Sequence, residues 1–234
     1  MNKDILAKGI KIKIIGDSMA AGAGSSMSYK TDDLIFEDDG TKFFRRIAPN
    51  SWWGLFERYL KNKYAKCTVE NKGCGGAFSY QINKYLDTLI SSDDKLIFIL
   101  MGLNDRKRKN GMEELKNNCE AIVDKLINNG LTVILLTPTP SVYSNEYYPN
   151  RIYHTKEVVQ VLRDVADSRK VQIVDNHKYV MEYLEKNNLI IDDIIYGEGC
   201  MNDGLHPSDK VQKLIFENII QTLNYNLHTI KIER

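Results

Sequence analysis

Asp203-Gly204-Leu205-His206-Pro207 sets a carboxylate three residues ahead of a histidine, in a turn bounded by glycine and proline. At that spacing the carboxylate can hydrogen-bond one imidazole nitrogen and hold its tautomer, leaving the other nitrogen outward as a base. A helix-capping turn with a surface histidine is the plain alternative. Ser18, in Gly16-Asp17-Ser18, is a hydroxyl that such a base would activate, since serine is a poor nucleophile at neutral pH. Asn71 to Gly76 carries Gly73, Gly75 and Gly76, where backbone can approach a ligand and present its N–H groups. Gly102-Leu103-Asn104-Asp105 offers an asparagine side-chain amide as a further donor. Singly, these last three segments also read as ordinary turns. Together they describe a nucleophile, a base with its orienting acid, and donors for a developing negative charge.

Other signatures fail on these residues. Ala20 stands at the second glycine of a G-x-S-x-G elbow. Gly22-x-Gly24 lacks the third glycine of a dinucleotide fingerprint, and no phosphate-loop lysine follows.

The elements that must position these groups follow from hydrophobic pattern. Lys11–Ile15, Cys67–Asn71, Leu96–Met101, Leu131–Leu136 and Val171–Val174 read as buried strands. Between them, helices are predicted over Ser51–Lys63, Phe78–Ile90, Met112–Asn129 and His154–Arg169, with Tyr179–Lys186 and a last helix from Pro207 to about Asn224 following. Ala20–Asn50, Tyr143–Tyr153 and Ile190–Leu205 read as long loops. Strand and helix in alternation predict a three-layer α/β/α fold around a five-stranded parallel sheet. In such sheets ligands bind beyond the carboxyl ends of the strands, where Ser18, Gly76 and Asn104 fall. With no repeat or linker visible, residues 1–234 are expected to form a single domain, with a loop insertion at about 25–50.

Composition narrows the classes. Thirty-two Lys and Arg against 31 Asp and Glu give a net charge of +1, without the basic excess of a nucleic-acid binder. No apolar run reaches the ~18 residues of a membrane span, and the N-terminus lacks a signal-peptide pattern. Cys67, Cys74, Cys119 and Cys200 form no C-x-x-C. The expectation is a cytoplasmic protein with reduced thiols.

The four segments, in this order, resemble the SGNH hydrolases, the GDSL-type esterases and lipases. Gly16-Asp17-Ser18 matches the first block, with Met19 where leucine or isoleucine is usual. Asn71–Gly76 matches the second, Gly102-Leu103-Asn104-Asp105 the third and Asp203-Gly204-Leu205-His206 the last. The resemblance spans about Lys11 to Asn224. It implies a flavodoxin-like SGNH hydrolase fold and a serine ester hydrolase needing no metal or organic cofactor. By that resemblance Ser18 is the nucleophile, His206 the base and Asp203 its partner. The oxyanion hole would be the N–H groups of Ser18 and Gly76 with the Asn104 amide. His154, His177 and His228 show no ligand spacing and are expected to be structural or on the surface. The chain departs from the family at Ala77, in the long stretch from Ser25 to Asn50, and in the Tyr143–Tyr153 loop.

Substrate is less legible. Short acyl esters are expected, O-acetyl groups on carbohydrate among them, as a small-molecule or glycan substrate. A lysophospholipase or thioesterase, an acyltransferase using the same site, and a non-catalytic binding module are the alternatives. Arg106-Lys107-Arg108-Lys109 could draw an anionic substrate, or form a solvated basic loop. Trp52, Trp53 and the tyrosines at 143, 147, 148 and 153 could form a sugar-stacking rim, or simply pack.

Overall fold

The computed structural model describes residues 3–229. In chain order come α1 (Lys3–Lys8), β1 (Lys11–Gly16), β2 (Tyr29–Asp38), β3 (Thr41–Ile47), α2 (Trp52–Lys63), β4 (Thr68–Gly73), α3 (Ser79–Lys84), α4 (Leu86–Leu89) and β5 (Asp94–Leu100). After a short 3-10 turn follow α5 (Gly111–Asn128), β6 (Thr132–Leu136), α6 (Tyr143–Glu146), α7 (Thr155–Arg169), β7 (Gln172–Val174), α8 (Asn176–Lys186), α9 (Asp192–Ile195) and α10 (Asp209–Thr229).

The main sheet has the order β4-β1-β5-β6-β7, and every neighbouring pair is parallel. β1 is central to the site, pairing Ile14 with Asn71 on one side and with Phe98 on the other. Side chains alternate across the sheet, as strand geometry requires. Leu96, Phe98 and Leu100 pack with Ile12, Ile14 and the α2 and α10 side chains Trp52, Phe56, Ile215 and Ile219. Ile97 and Ile99 face the other way, onto Leu115, Ile122 and Val158 of α5 and α7. Both faces are covered, which is why these strands read as continuous apolar runs.

Strand and helix boundaries fall within a few residues of expectation. The Ser51 side chain caps α2 by accepting from Gly54 N at 3.3 Å. Pro207 lies just outside the last helix, because the Ser208 carbonyl accepts the first bond from Gln212 N at 2.8 Å. Four expectations change, two of them because the loops expected over Tyr143–Tyr153 and Ile190–Leu205 carry the short helices α6 and α9. Residues 25–50 are not a loop insertion: β2 and β3 pair as an antiparallel hairpin beside the main sheet. The segment predicted as one helix from Phe78 to Ile90 divides at Tyr85, whose ring stacks on Phe36 of the hairpin at 4.4 Å. Among the described residues, no helix is long and apolar enough to cross a membrane.

Candidate active site

Ser18 follows β1 in a tight turn. Gly16 makes that turn possible: at φ +138° a Cβ would sit 1.9 Å from the Leu100 carbonyl oxygen of the neighbouring strand. The Asp17 carboxylate, wholly buried, turns back and accepts from Met19 N at 2.9 Å and Leu103 N at 3.3 Å. It therefore ties the turn after β1 to the turn after β5. Burial pushes the Asp17 carboxyl up to about 6, against the two backbone donors that lower it.

His206 reaches Ser18 from the far end of the chain. Its Nε2 lies 2.8 Å from Ser18 Oγ, and its Nδ1 lies 2.6 Å from Asp203 Oδ2. The other oxygen of Asp203 accepts from Leu205 N at 3.0 Å and His206 N at 2.8 Å. Burial raises the Asp203 carboxyl, but the hydrogen bond and charge of His206 outweigh it and hold it down at about 2. Gly24 lets the histidine turn approach: at φ +96° its Cβ would press on His206 Cβ at 2.7 Å.

The glycine turn after β4 closes the other side. Asn71 braces it, donating from Nδ2 to Ala20 O at 2.8 Å and accepting from Gly73 N at 2.7 Å. Among the described residues the N–H groups of Ser18 and Gly76 have no acceptor, and nothing lies within 4 Å of a Cβ position at Gly76. The Asn104 amide donates to Ala77 O at 3.0 Å, while its oxygen accepts from Lys107 Nζ at 3.3 Å. That leaves one amide hydrogen of Asn104 uncommitted. Ser18, Gly76, Asn104, Asp203 and His206 all line one open cavity of about 430 Å³.

This arrangement can deprotonate a hydroxyl and hold a negative charge beside it. Among the described residues no group of three or more His, Cys, Asp or Glu is placed to hold a metal. His154 caps the start of α7 with Nδ1 3.6 Å from Glu146, and His177 lies in α8. The side chain of His228 lies outside the described residues.

The GDSL-like lipase/acylhydrolase family model matches residues 14–214, which spans all four site segments. The chain belongs to that family. It is an ester hydrolase of the GDSL type, with the fold of SGNH esterases. No curated protein sequence matches it. Among solved structures it is similar to an acetylxylan esterase from Geobacillus stearothermophilus at TM-score 0.66 and 18% identity, covering 92% of this chain and 94% of that one. It is also similar to an acetyl xylan esterase, AlAXEase, at TM-score 0.67 and 18% identity, covering 92% and 100%. A lipase/acylhydrolase from Enterococcus faecalis matches at TM-score 0.67 and 20% identity, covering 93% and 96%.

Within this GDSL-type frame the alternatives left open for the aromatic and basic residues resolve. Trp52 and Trp53 form no sugar-stacking rim. Both are buried, and their indole N–H groups donate to Met19 O and Ala21 O, each at 3.0 Å. They hold the segment that follows Ser18. Tyr143, Tyr147 and Tyr148 are exposed but do not line the cavity, whereas Asn145 and Arg151 of the same loop do. The basic run also divides. Arg106 is fully buried, bonded to Leu103 O at 3.1 Å, Thr155 Oγ1 at 2.9 Å and Glu146 at 3.3 Å. Arg108 pairs with Glu114, and Lys107 alone of the run reaches the cavity. Pattern reading missed Asp17 and the whole hairpin wall. Asp17 could have been found from its place beside Ser18; the hairpin left no clean period to find.

Proposed function

We propose that this GDSL-type enzyme hydrolyses short-acyl esters, O-acetyl groups on carbohydrate in the first place, through an acyl-enzyme on Ser18. One observation carries the reading: the hydrogen-bonded series Ser18–His206–Asp203, at 2.8 Å and 2.6 Å, opening on a cavity that Gly76 and Asn104 also line. His206 takes the Ser18 proton as the hydroxyl attacks the ester carbonyl. Asp203 holds the ring and stabilises the imidazolium that forms. The N–H groups of Ser18 and Gly76 and the Asn104 amide receive the oxyanion. The imidazolium then gives its proton to the leaving alcohol, and the same histidine activates water to clear the acyl group.

The similarity over most of the chain to acetylxylan esterases supports an acetyl ester as substrate. Ser18 and His206 are 188 positions apart yet share one site, which supports a single domain. The four unpaired cysteines support a reducing, cytoplasmic setting.

The test is hydrolysis of p-nitrophenyl esters from acetate to dodecanoate, with wild type beside Ser18→Ala. Acetate is expected to be cleaved fastest. The variant should lose about 10⁴-fold or more in kcat with an unchanged circular dichroism spectrum. Near-normal turnover by Ser18→Ala overturns the nucleophile, and a preference for long chains replaces the acetyl reading with a lipid one.

A further inference from the structure

Five cationic side chains line the cavity: Lys30, Lys42 and Arg46 from the hairpin, Lys107 after β5, and Arg151 after α6. The one carboxylate among the lining residues is Asp203, which is committed to His206. A chain whose net charge is only +1 has therefore gathered like charges from three separate segments around one opening. The hairpin's own acids do not answer them. Asp32, Asp33 and Glu37 are exposed and line no part of the cavity; only Lys42 has a partner among them, Glu37 at 3.9 Å.

Among the described residues, the other four have no carboxylate within ion-pair distance. Lys30 rests over the Phe44 ring at 4.8 Å. Arg46 donates to the Ser28 hydroxyl at 2.8 Å, and burial lowers the affinity of its guanidinium for the proton. Arg151 bonds to Asn150 at 3.0 Å through one terminal nitrogen, while its Nε is buried with no partner at all. Lys107 donates only to the Asn104 amide oxygen, and its charge is disfavoured by burial first, then by Arg151 and Arg106. Arg46 and Arg151 are partly buried without an ionic partner, a cost that a bound anion would offset, while the exposed lysines add to the positive field at the opening. The cavity exceeds what an acetyl group needs, so these cations meet the rest of the substrate.

We propose that the site selects esters whose alcohol part is anionic, with the hairpin, Lys107 and Arg151 forming the subsite for the negative group. This rests on the esterase reading above and goes beyond it, since it distinguishes the substrate from a neutral acetylated glycan.

The experiment compares kcat/KM of the full chain on four esters: partially acetylated oligogalacturonate, 1-acetylglycerol 3-phosphate, acetylated xylo-oligosaccharide and p-nitrophenyl acetate. At low salt at least one anionic ester should exceed the neutral xylo-oligosaccharide by about tenfold or more, and the advantage should shrink in ~0.5 M NaCl. A lead for the oligogalacturonate assigns a carboxylate-bearing glycan; a lead for the glycerol phosphate assigns a phosphate. In the Arg46→Gln/Arg151→Gln double variant that advantage should fall at least about fivefold. As a check that needs no variant, unacetylated oligogalacturonate or glycerol 3-phosphate should inhibit wild-type cleavage of p-nitrophenyl acetate better than an unacetylated xylo-oligosaccharide does. Equal or faster cleavage of the neutral oligosaccharide at low salt overturns the inference, as does an advantage untouched by salt and by the double variant. Inertness toward all four esters overturns the esterase reading itself, and this inference with it.

Discussion

Around Ser18 the turns are held by buried polar groups that reach across the sheet. Asp17 binds Met19 and Leu103, Asn71 binds Ala20 and Gly73, and the two tryptophans bind Met19 and Ala21. Across the cavity the hairpin is held differently. Ile35, Phe36 and Phe43 press on the α5 side of the core, and Asp38 accepts from Gln81, Lys84 and Tyr85. From there outward its residues are largely exposed. The floor is thus held by buried polar bonds around its reactive group, and the wall by an apolar and ionic anchor near its turn with largely exposed strands beyond it. Rigid placement suits groups that act on reacting atoms, whereas a charged wall acts through space and tolerates looser geometry.

The difference can be broken or sharpened by substitution. Asn104→Ala, on the floor, should lower kcat by ~10²–10³, about 3–4 kcal/mol of barrier, with KM within a few fold. Steady-state kinetics on p-nitrophenyl acetate reads this directly, and an unchanged kcat removes Asn104 from the oxyanion hole. Phe36→Ala, at the wall's anchor, should cost about 3 kcal/mol of stability, since a buried ring stacked on Tyr85 is lost. Its kinetic effect should fall on KM rather than kcat. A variant that loses kcat as severely as Asn104→Ala would mean that the wall also sets the floor's geometry.

The floor also carries a pH dependence of its own. The folded-state carboxyl of Asp17 is raised to about 6 from an ordinary 3.8, so the folded chain binds that proton more tightly than the unfolded chain. The contribution is full below about pH 4 and is lost as pH rises through 6, by at most roughly 3 kcal/mol. Asp105 is raised to about 6 for the same reason, burial, and adds in the same direction. Asp203, held down at about 2, works oppositely: its contribution is present above 3.8 and lost as pH falls through 2. Urea unfolding from pH 4 to 7 should therefore show a falling free energy, and Asp17→Asn should flatten part of that slope. A slope unchanged in Asp17→Asn would show that Asp17 is not the group releasing the proton.

Much of this was legible from residues in order. The five sheet strands are buried on both faces, so burial wrote itself into continuous apolar runs such as Leu96–Leu100 and Thr132–Leu136. Helices announced themselves by an apolar stripe and a capping residue, as at Ser51. Ser18, Gly76, Asn104 and the Asp203/His206 pair stood out because each follows a strand or precedes the last helix, where an α/β sheet collects its ligand groups.

What sequence could not decide are the properties that belong to pairs of distant residues. The hairpin strand Tyr-Lys-Thr-Asp-Asp-Leu-Ile-Phe-Glu-Asp has no clean alternation, because it buries little and its register with β3 is irregular. Four adjacent cations at 106–109 look alike in a row. Which one is buried depends on Glu146 and Thr155, and which one faces the cavity depends on how the turn after β5 runs. The tryptophans became braces instead of a sugar platform because Met19 and Ala21 offered them carbonyls some thirty residues away. Local chemistry and hydrophobic period are properties of the chain. Burial, partnership and the charge that a cavity presents are properties of surfaces that exist only once the chain has folded.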